Sequence, residues 1–504
     1  MPDTLFARFA LSATDQDKAF ILSPDRAPVS FRGSFATAAR FAHVLVRHRV
    51  RPGDRVAVQV EKSPEALFLY LACLRAGAVY LPLNSAYTAN ELAYFIGDSE
   101  PRIFVCSVKN REVIAAAMPN IALLTLSDNG KSGTLVEEAA GEPVDFPDAA
   151  LSMNDLASIL YTSGTTGRSK GAMLTQENLC SNAETLKQAW QFSDKDVLLH
   201  ALPLFHIHGL FVATNVSLIS GASMILLPKF EPDAIFRALP QATVMMGVPT
   251  FYTRMLRDSR LDRDATRHVR LFVSGSAPLL TETHQQWQAR TGHAILERYG
   301  MTETNMNTSN PYDGMRLPGS VGLPLPGIEL RIADKHGVPL SRGEIGGVEV
   351  RGPNVFKGYW RMPEKSAAEF RVDGFFITGD LGLIDANGYV HIVGRDKDLI
   401  ISGGFNIYPK EIESLIDELP DVEESAVVGL PHDDFGEGVT AFIVTKNGTS
   451  LSEQAVITAL SDRLARFKHP KRVILVDQLP RNTMGKVQKS LLREEFQNLY
   501  RQSP

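Results

Sequence analysis

RVAVQVEKSPEALFLYLACLRAGAVYLPLNSAYTANELAYFIGDSEPRIFVCS, residues 55–107, decides how this chain is built. Arg55–Val60 is a short apolar run behind the turn Pro52-Gly53-Asp54, and reads as a strand. Ser63 followed by Pro64 reads as a helix N-cap with proline at the first helical position. The helix should run to about Arg75 and stop near Gly77. Val79–Leu83 is the next apolar strand. Thr88-Ala-Asn-Glu91 has the spacing of a capping box, and its helix leads to a third strand, Arg102–Ser107. Strand, helix and strand at this spacing predict parallel βαβ units.

The pattern extends outward on both sides. Upstream, Ser34–Val50 carries Phe35, Ala38, Phe41, Ala42 and Leu45 at helical period. Downstream, alternation resumes at Ala157 and continues to about Glu297, with strand-like runs at Ser223–Leu227, Ala242–Met246 and Arg270–Val273. Gly/Pro/Ser turns follow them, and turns after strands are where open α/β sheets bind ligands. After about Gly319 short strands prevail, at Ile328–Ile332, Gly347–Val350 and Gly388–Ile392. A charged stretch, Gly394-Arg-Asp-Lys-Asp398, follows. The remainder reads as a compact α+β unit, with helices at Lys410–Glu418 and Leu451–Ala465 and strands at Ser425–Val428 and Ala441–Val444. The expected fold class is α/β. Residues 1–396 form a large domain of parallel βαβ sheets with a β-rich subdomain, and 397–504 form a small, mobile α+β domain.

Composition narrows the class. The chain has 504 residues, 44% hydrophobic and 22% charged, which suits globular domains rather than disorder. A net charge of -5 offers no general attraction to nucleic acid. Cys73, Cys106 and Cys180 form no CxxC pair, which suits a reducing compartment. The apolar stretch Leu5–Leu11 is interrupted by Arg8 and is too short for a signal peptide. No apolar run of about 18 residues suggests a membrane span. A cytoplasmic enzyme, monomeric or dimeric, is expected.

Tyr161-Thr-Ser-Gly-Thr-Thr-Gly-Arg-Ser-Lys-Gly171 carries the strongest chemical signal. It follows the apolar run Ala157–Leu160. Gly164 and Gly167 let the backbone fold tightly, so that N–H groups converge. Thr162, Ser163, Thr165, Thr166 and Ser169 add hydroxyls, and Lys170 adds positive charge; together they suit a polyphosphate. No GxxxxGK[ST] fits, so this is not a Walker A loop.

YTSGTTGRSKG resembles the phosphate loop of the adenylate-forming superfamily, which includes the acyl-CoA synthetases. Further segments match in order. Tyr299-Gly-Met-Thr-Glu-Thr304 is similar to the adenine and magnesium segment, Thr378-Gly-Asp380 to the ribose-binding aspartate, and Gly394-Arg395-Asp-Lys397 to the hinge. Gly403-Gly404-Phe-Asn-Ile-Tyr-Pro409 resembles the opening of the C-terminal domain, and Pro480-Arg-Asn-Thr-Met-Gly-Lys486 the catalytic-lysine motif.

The resemblance implies ATP, Mg²⁺ and coenzyme A. Tyr299, Gly300, Met301 and Thr302 would line the nucleotide. Glu303 would ligate Mg²⁺ with Thr166, because hard oxygen donors suit that ion. Asp380 would accept the ribose hydroxyls, and Arg395 would contact ribose or phosphates. Lys486 would bridge the acid and the α-phosphate. Lysine acetylation would remove that charge, so a lysine acetyltransferase acting on Lys486 is an expected partner. The C-terminal domain would rotate about Lys397, bringing Gly403 and Gly404 to the site, where glycines admit a pantetheine arm.

The segments that would line the acid are polar: Pro203–Gly209 (PLFHIHG), Arg270–Pro278 (RLFVSGSAP) and Glu303–Asn310 (ETNMNTSN). A cation among hydroxyl and amide donors suits a second carboxylate. These segments closely resemble malonyl-CoA synthetases. Arg270 is expected to pair with the distal carboxylate of malonate, with Ser276 and His206 assisting and Met301 bordering the acid. Three alternatives stand beside this reading. They are a ligase for another small, medium-chain or aromatic acid, an adenylation enzyme loading a carrier protein, and an inactive nucleotide-binding regulator. The last is disfavoured by the presence of Lys486, Glu303 and Asp380.

Overall fold

The computed structural model describes residues 4–162, 169–446, 449, 451–461, 463–482 and 485–500. The expected strands and helices of residues 55–107 form. The side chain of Ser63 caps Pro64–Ala76, and Thr88 with Glu91 closes a capping box on Ala89–Ser99. In Pro64–Ala76 every residue except Glu65 is buried. A helix apolar on all sides has to lie between layers.

Two sheets supply those layers. One runs, in spatial order, Ala122–Leu126, Ile103–Ser107, Arg55–Gln59, Val79–Pro82, Leu156–Thr162, Lys170–Thr175. Its pairings are parallel except the last, where Thr162 stands opposite Lys170. The other runs Leu323–Pro324, Asn305–Ser309, Leu296–Met301, Leu271–Ser274, Val244–Gly247, Val197–His200, Ser223–Leu226, Ala19–Ser23, Arg26–Ser30. Its inner pairings are parallel and its outer ones antiparallel.

Alternation along the strands explains the packing. Val56, Val58, Ile103 and Val105 of the first sheet share one core with Leu198, Met224, Val244 and Val273 of the second. The intervening residues face outward into separate cores: Ala57, Phe104 and Cys106 on one side, Leu199, Ile225 and Phe272 on the other. Strands covered on both faces need no polar face, which is why these runs read as continuously apolar.

The β-rich subdomain is an antiparallel sheet of Glu329–Ala333, Gly346–Arg351, Phe376–Ile384 and Val390–Arg395. The next strand, Ile400–Ser402, belongs to a different sheet, with Phe405–Ile407, Gly436–Thr445, Val422–His432 and Arg472–Leu475. Lys397 lies in the short 3₁₀ turn Asp396–Asp398 between the two sheets.

Candidate active site

The strand Leu296–Met301 organises the site, because successive side chains leave a strand on opposite faces. Tyr299 points to the nucleotide residues and donates its hydroxyl to Asp380 Oδ2 at 2.5 Å. Asp380 lies mid-strand in Phe376–Ile384, directly opposite Arg395, whose Nε meets Oδ1 at 2.8 Å. Coulombic attraction to Asp380 holds the Arg395 pKa above its ordinary value. Ribose hydroxyls would meet a carboxylate already fixed on both oxygens, each with a lone pair to spare. At Gly300 a Cβ would fall 1.9 Å from the Asn305 carbonyl oxygen, so the turn after Tyr299 admits only glycine. Met301 and Thr302 follow, half-buried.

Glu303 is buried, and desolvation raises its pKa. The Tyr359 hydroxyl lies 3.0 Å from Glu303 Oε1 and 2.7 Å from Glu369 Oε2. One phenol hydrogen cannot serve both carboxylates. Lys170 and Lys365 contact Glu369, leaving Glu303 without a cationic contact among the described residues. A hard dication fits that donor.

Lys170 corrects an expectation. Its ammonium is committed to Glu369 at 3.2 Å and lies over the Tyr359 ring, with 7% of the residue exposed. It therefore braces the exit of the phosphate loop rather than offering a free charge to phosphates. Ser163, Gly164, Thr165, Thr166 and Gly167 lie outside the described residues. At the other end of the loop, Thr162 Oγ1 is 3.5 Å from Glu303 Oε1.

Arg270 corrects another. It precedes the strand Leu271–Ser274, whereas Ser276 follows it, so the two lie at opposite ends of that strand. Its guanidinium grips both oxygens of Asp196 at 2.8 and 2.9 Å and donates to the carbonyls of Trp190 and Gln191. A cation occupied in this way frames the sheet and does not read a substrate.

The cation that does reach the acid segments is Arg298, which the sequence reading passed over. It leaves the strand on the face opposite Tyr299. It is 3% exposed, and its Nε and Nη2 have no hydrogen-bond partner among the described residues. Burial pushes its pKa down to about 9. A Cβ on Gly275 would sit 2.4 Å from the guanidinium carbon, so the glycine of the Ser-Gly-Ser turn makes room for it. Ser276 beside it is held in the left-handed region at φ 72° and meets His208 Nδ1 at 3.2 Å. His208 is fully buried, and its Nε2 has no partner among the described residues.

His206 completes the group. The backbone N–H of His208 donates to its Nδ1 at 3.3 Å, which assigns the hydrogen of the neutral ring to Nε2. Burial, with the charges of Arg298 and Lys486, pushes its pKa down to about 4. At neutral pH it is an uncharged hydrogen-bonding group.

Lys486 lies in the segment that follows the C-terminal sheet's strand Arg472–Leu475, and it is exposed. Desolvation and the nearby charges of Arg395 and Lys397, partly offset by Asp380, push its pKa down to about 8. The same lysine thus stands near the ribose aspartate and His206. Gly403 and Gly404 both have positive φ in the hairpin between Ile400–Ser402 and Phe405–Ile407. A Cβ on Gly404 would touch nothing, so that surface is open.

A loop-bearing α/β sheet, a buried carboxylate held by Tyr299 and Arg395, and a lysine delivered from the C-terminal domain fit an enzyme that activates acids on AMP. The chain belongs to the AMP-binding enzyme family, matched over residues 8–360, with the AMP-binding enzyme C-terminal domain matched over 411–486. It is an AMP-forming acid–CoA ligase that uses ATP and coenzyme A. It is 58% identical to ATP-bound MatB from Rhodopseudomonas palustris, with TM-score 0.98 and 99% and 100% of the two chains covered. Against apo MatB from the same organism the TM-score is 0.86. A malonate–CoA ligase from Arabidopsis thaliana is 35% identical over 88% of this chain and 78% of its own. A feruloyl-CoA synthase from Amycolatopsis is 36% identical over 91% and 92%.

Proposed function

We propose that the chain is a malonate–CoA ligase: ATP, malonate and CoA give malonyl-CoA, AMP and diphosphate. The observation that carries this reading is Arg298, a buried guanidinium beside His206, His208 and Ser276 whose Nε and Nη2 have no partner among the described residues. A monocarboxylic acid would leave it uncompensated. The second carboxylate of malonate supplies the bidentate partner it lacks.

In the first step an oxygen of the other carboxylate attacks the α-phosphorus of ATP. The bond to the β-phosphate bridge breaks and diphosphate leaves. Lys486 neutralises charge gathering on the α-phosphate, while Asp380 fixes the ribose. Glu303, with Thr166, would hold Mg²⁺, which supplies further charge neutralisation on the phosphates. In the second step the thiol sulfur of CoA attacks the acyl carbon. The bond to the AMP oxygen breaks, and the thiol proton goes to solvent. Residues 1–396 would hold the adenylate while 397–504 rotate about Lys397, exchanging Lys486 for the Gly403-Gly404 hairpin.

AMP formation with CoA over a panel of acids tests the substrate. Malonate should exceed acetate and octanoate by orders of magnitude, and equal turnover of octanoate would falsify the dicarboxylate reading. All described cysteines are buried and free, which supports a reducing, cytoplasmic setting. Lys486 is open to solvent with a lowered pKa, which supports acetylation by a lysine acetyltransferase; native protein always unmodified at Lys486 by mass spectrometry would reject that idea.

A further inference from the structure

His206 and His208 ride on a short excursion of chain. It leaves the strand Val197–His200 and re-enters regular structure in the π-helix His208–Thr214. Leu202, Leu204 and Ile207 pack it into the core. A small cleft of about 70 Å³ remains beside Pro203, Leu204 and Phe205, with Val58, Lys62 and Tyr80 on the facing wall.

Hydrogen bonds from Lys62 span the gap. Its ammonium lies 2.9 Å from His200 Nδ1, 2.8 Å from the His200 carbonyl and 2.8 Å from the Leu202 carbonyl. His200 Nε2 lies 2.8 Å from the carbonyl of Gly209. A carbonyl only accepts, so Nε2 carries the hydrogen of the neutral ring, and Nδ1 accepts from Lys62. Three acceptors then face three ammonium hydrogens. Burial pulls the Lys62 pKa well down, and the three acceptors oppose that pull by favouring the ammonium form. The far end is tied as well. Gly209 O also accepts from Thr214 Oγ1 at 3.0 Å, and a Cβ on Gly209 would fall 2.1 Å from the Pro203 carbonyl oxygen.

We propose that Lys62 is a positioning residue for the acid site: acting through His200, it latches together the two ends of the loop that carries His206 and His208. The near end is held at the His200 and Leu202 carbonyls. The far end is held at Gly209. The latch rests on the reading that these histidines and Arg298 receive the acid. Lys62 itself touches neither acid nor nucleotide.

Kinetics of the full-length enzyme test it, with acid and ATP varied in turn. Lys62→Met should raise the malonate KM on the order of tenfold or more, since small misplacements of positioning groups have effects of that size. The ATP KM should stay near wild type. His200→Leu removes both bonds and should behave like Lys62→Met. His200→Gln keeps an acceptor for Lys62 and a donor for Gly209, and should restore most of the loss. An unchanged malonate KM in Lys62→Met, a parallel rise for acid and ATP, or no rescue by His200→Gln overturns the latch. Should Lys62→Met fail to fold, as judged by circular dichroism, the His200 pair decides alone. If the wild type prefers another acid, the malonate reading falls and the same split is measured on that acid.

Discussion

Arg298, on the strand Leu296–Met301, and Arg270, just before the neighbouring strand Leu271–Ser274, meet opposite fates. Arg270 has Asp196 and two carbonyls; Arg298 has no side-chain partner among the described residues. Arg298→Ala should therefore raise the malonate KM by a factor equivalent to about 2–5 kcal/mol, the cost of losing one partner of a buried charge pair. Arg270→Ala should leave that KM unchanged and instead lower the melting temperature, by about 3 kcal/mol of stability, because the buried Asp196 loses its counter-charge and keeps only the Ser193 N–H and the Thr243 hydroxyl. If Arg270→Ala alters malonate binding and Arg298→Ala does not, the assignment is reversed. The sequence could not separate the two arginines. The discriminating fact is the position of Asp196, which lies 74 residues before Arg270 and has no local signature.

Glu297, next to Arg298, makes a pH prediction. Its Oε1 accepts from the Leu279 N–H, its Oε2 has no partner among the described residues, and burial raises its pKa from 4.5 to about 8. The folded state therefore holds this proton more tightly than the unfolded state. The stability it contributes is full below about pH 4.5 and is lost as pH rises to about 8. Glu297→Gln mimics the protonated form. Its melting temperature should match the wild type near pH 4 and exceed it near pH 9, by a few kcal/mol at most. Parallel melting curves at both pH values would show that the carboxyl titrates normally.

Among the elements, the segment after Glu303 shows how polar residues mislead. Asn305 and Asn307 suit a polar pocket by composition, yet both are buried framework. Asn305, at φ 50°, donates to the Asn354 carbonyl; Asn354 Nδ2 lies 2.6 Å from the Thr304 carbonyl and 3.1 Å from Asn307 Oδ1. Phe356 N–H donates to the Glu303 carbonyl at 2.7 Å. Residues 354–356 thus fix the turn that presents Glu303. Asn354→Ala should destabilise the protein by about 1–3 kcal/mol through unpaired buried carbonyls, and raise the KM for ATP in diphosphate exchange. A variant with wild-type ATP kinetics would limit the role of Asn354 to folding.

Caps made the helices legible: Ser63, Thr88 and Ser452 all accept from the first turn of their helices as their residue types suggest. Leu451–Ala465 still shortened to Glu453–Leu460, and the strand at Ser425–Val428 lengthened to Val422–His432. Paired backbones carry polar residues along, and apolar runs alone cannot mark their ends. Thr378-Gly-Asp380 lies mid-strand, with Gly379 at φ 71° accommodated in a register shift against the strand Gly346–Arg351, between the pairs Glu349–Ile377 and Gly347–Leu381. The phosphate loop was legible as chemistry through residue types, although its central residues lie outside those described.

For the whole molecule, the decisive relation is between Arg395 and the turn that follows it. Asp380 and Arg395 pair across the last two strands of one sheet, and Lys397 follows before the first strand of the next. Lys397→Pro would fix φ near −65° at the proposed pivot. It should leave malonate-dependent diphosphate exchange largely intact, since Lys486 already faces the site, and strongly reduce malonyl-CoA formation. Equal loss of both half-reactions would sink the pivot. The pivot at Lys397 is proposed from resemblance alone, and sequence cannot give the orientation around it, because both orientations use the same covalent chain.

The Tyr299–Asp380–Arg395 chain of contacts has a consequence for how such an enzyme can diversify. Every side chain assigned to the acid, Arg298 and Ser276 and the two histidines, belongs to residues 1–396, as do Tyr299, Asp380 and Arg395. Under the proposed rotation, residues 397–504 would contribute only the lysine and the glycine hairpin. A lineage could then exchange one carboxylic acid for another by altering a few residues along or just after the strands Leu296–Met301, Leu271–Ser274 and Val197–His200, and inherit its moving parts unchanged.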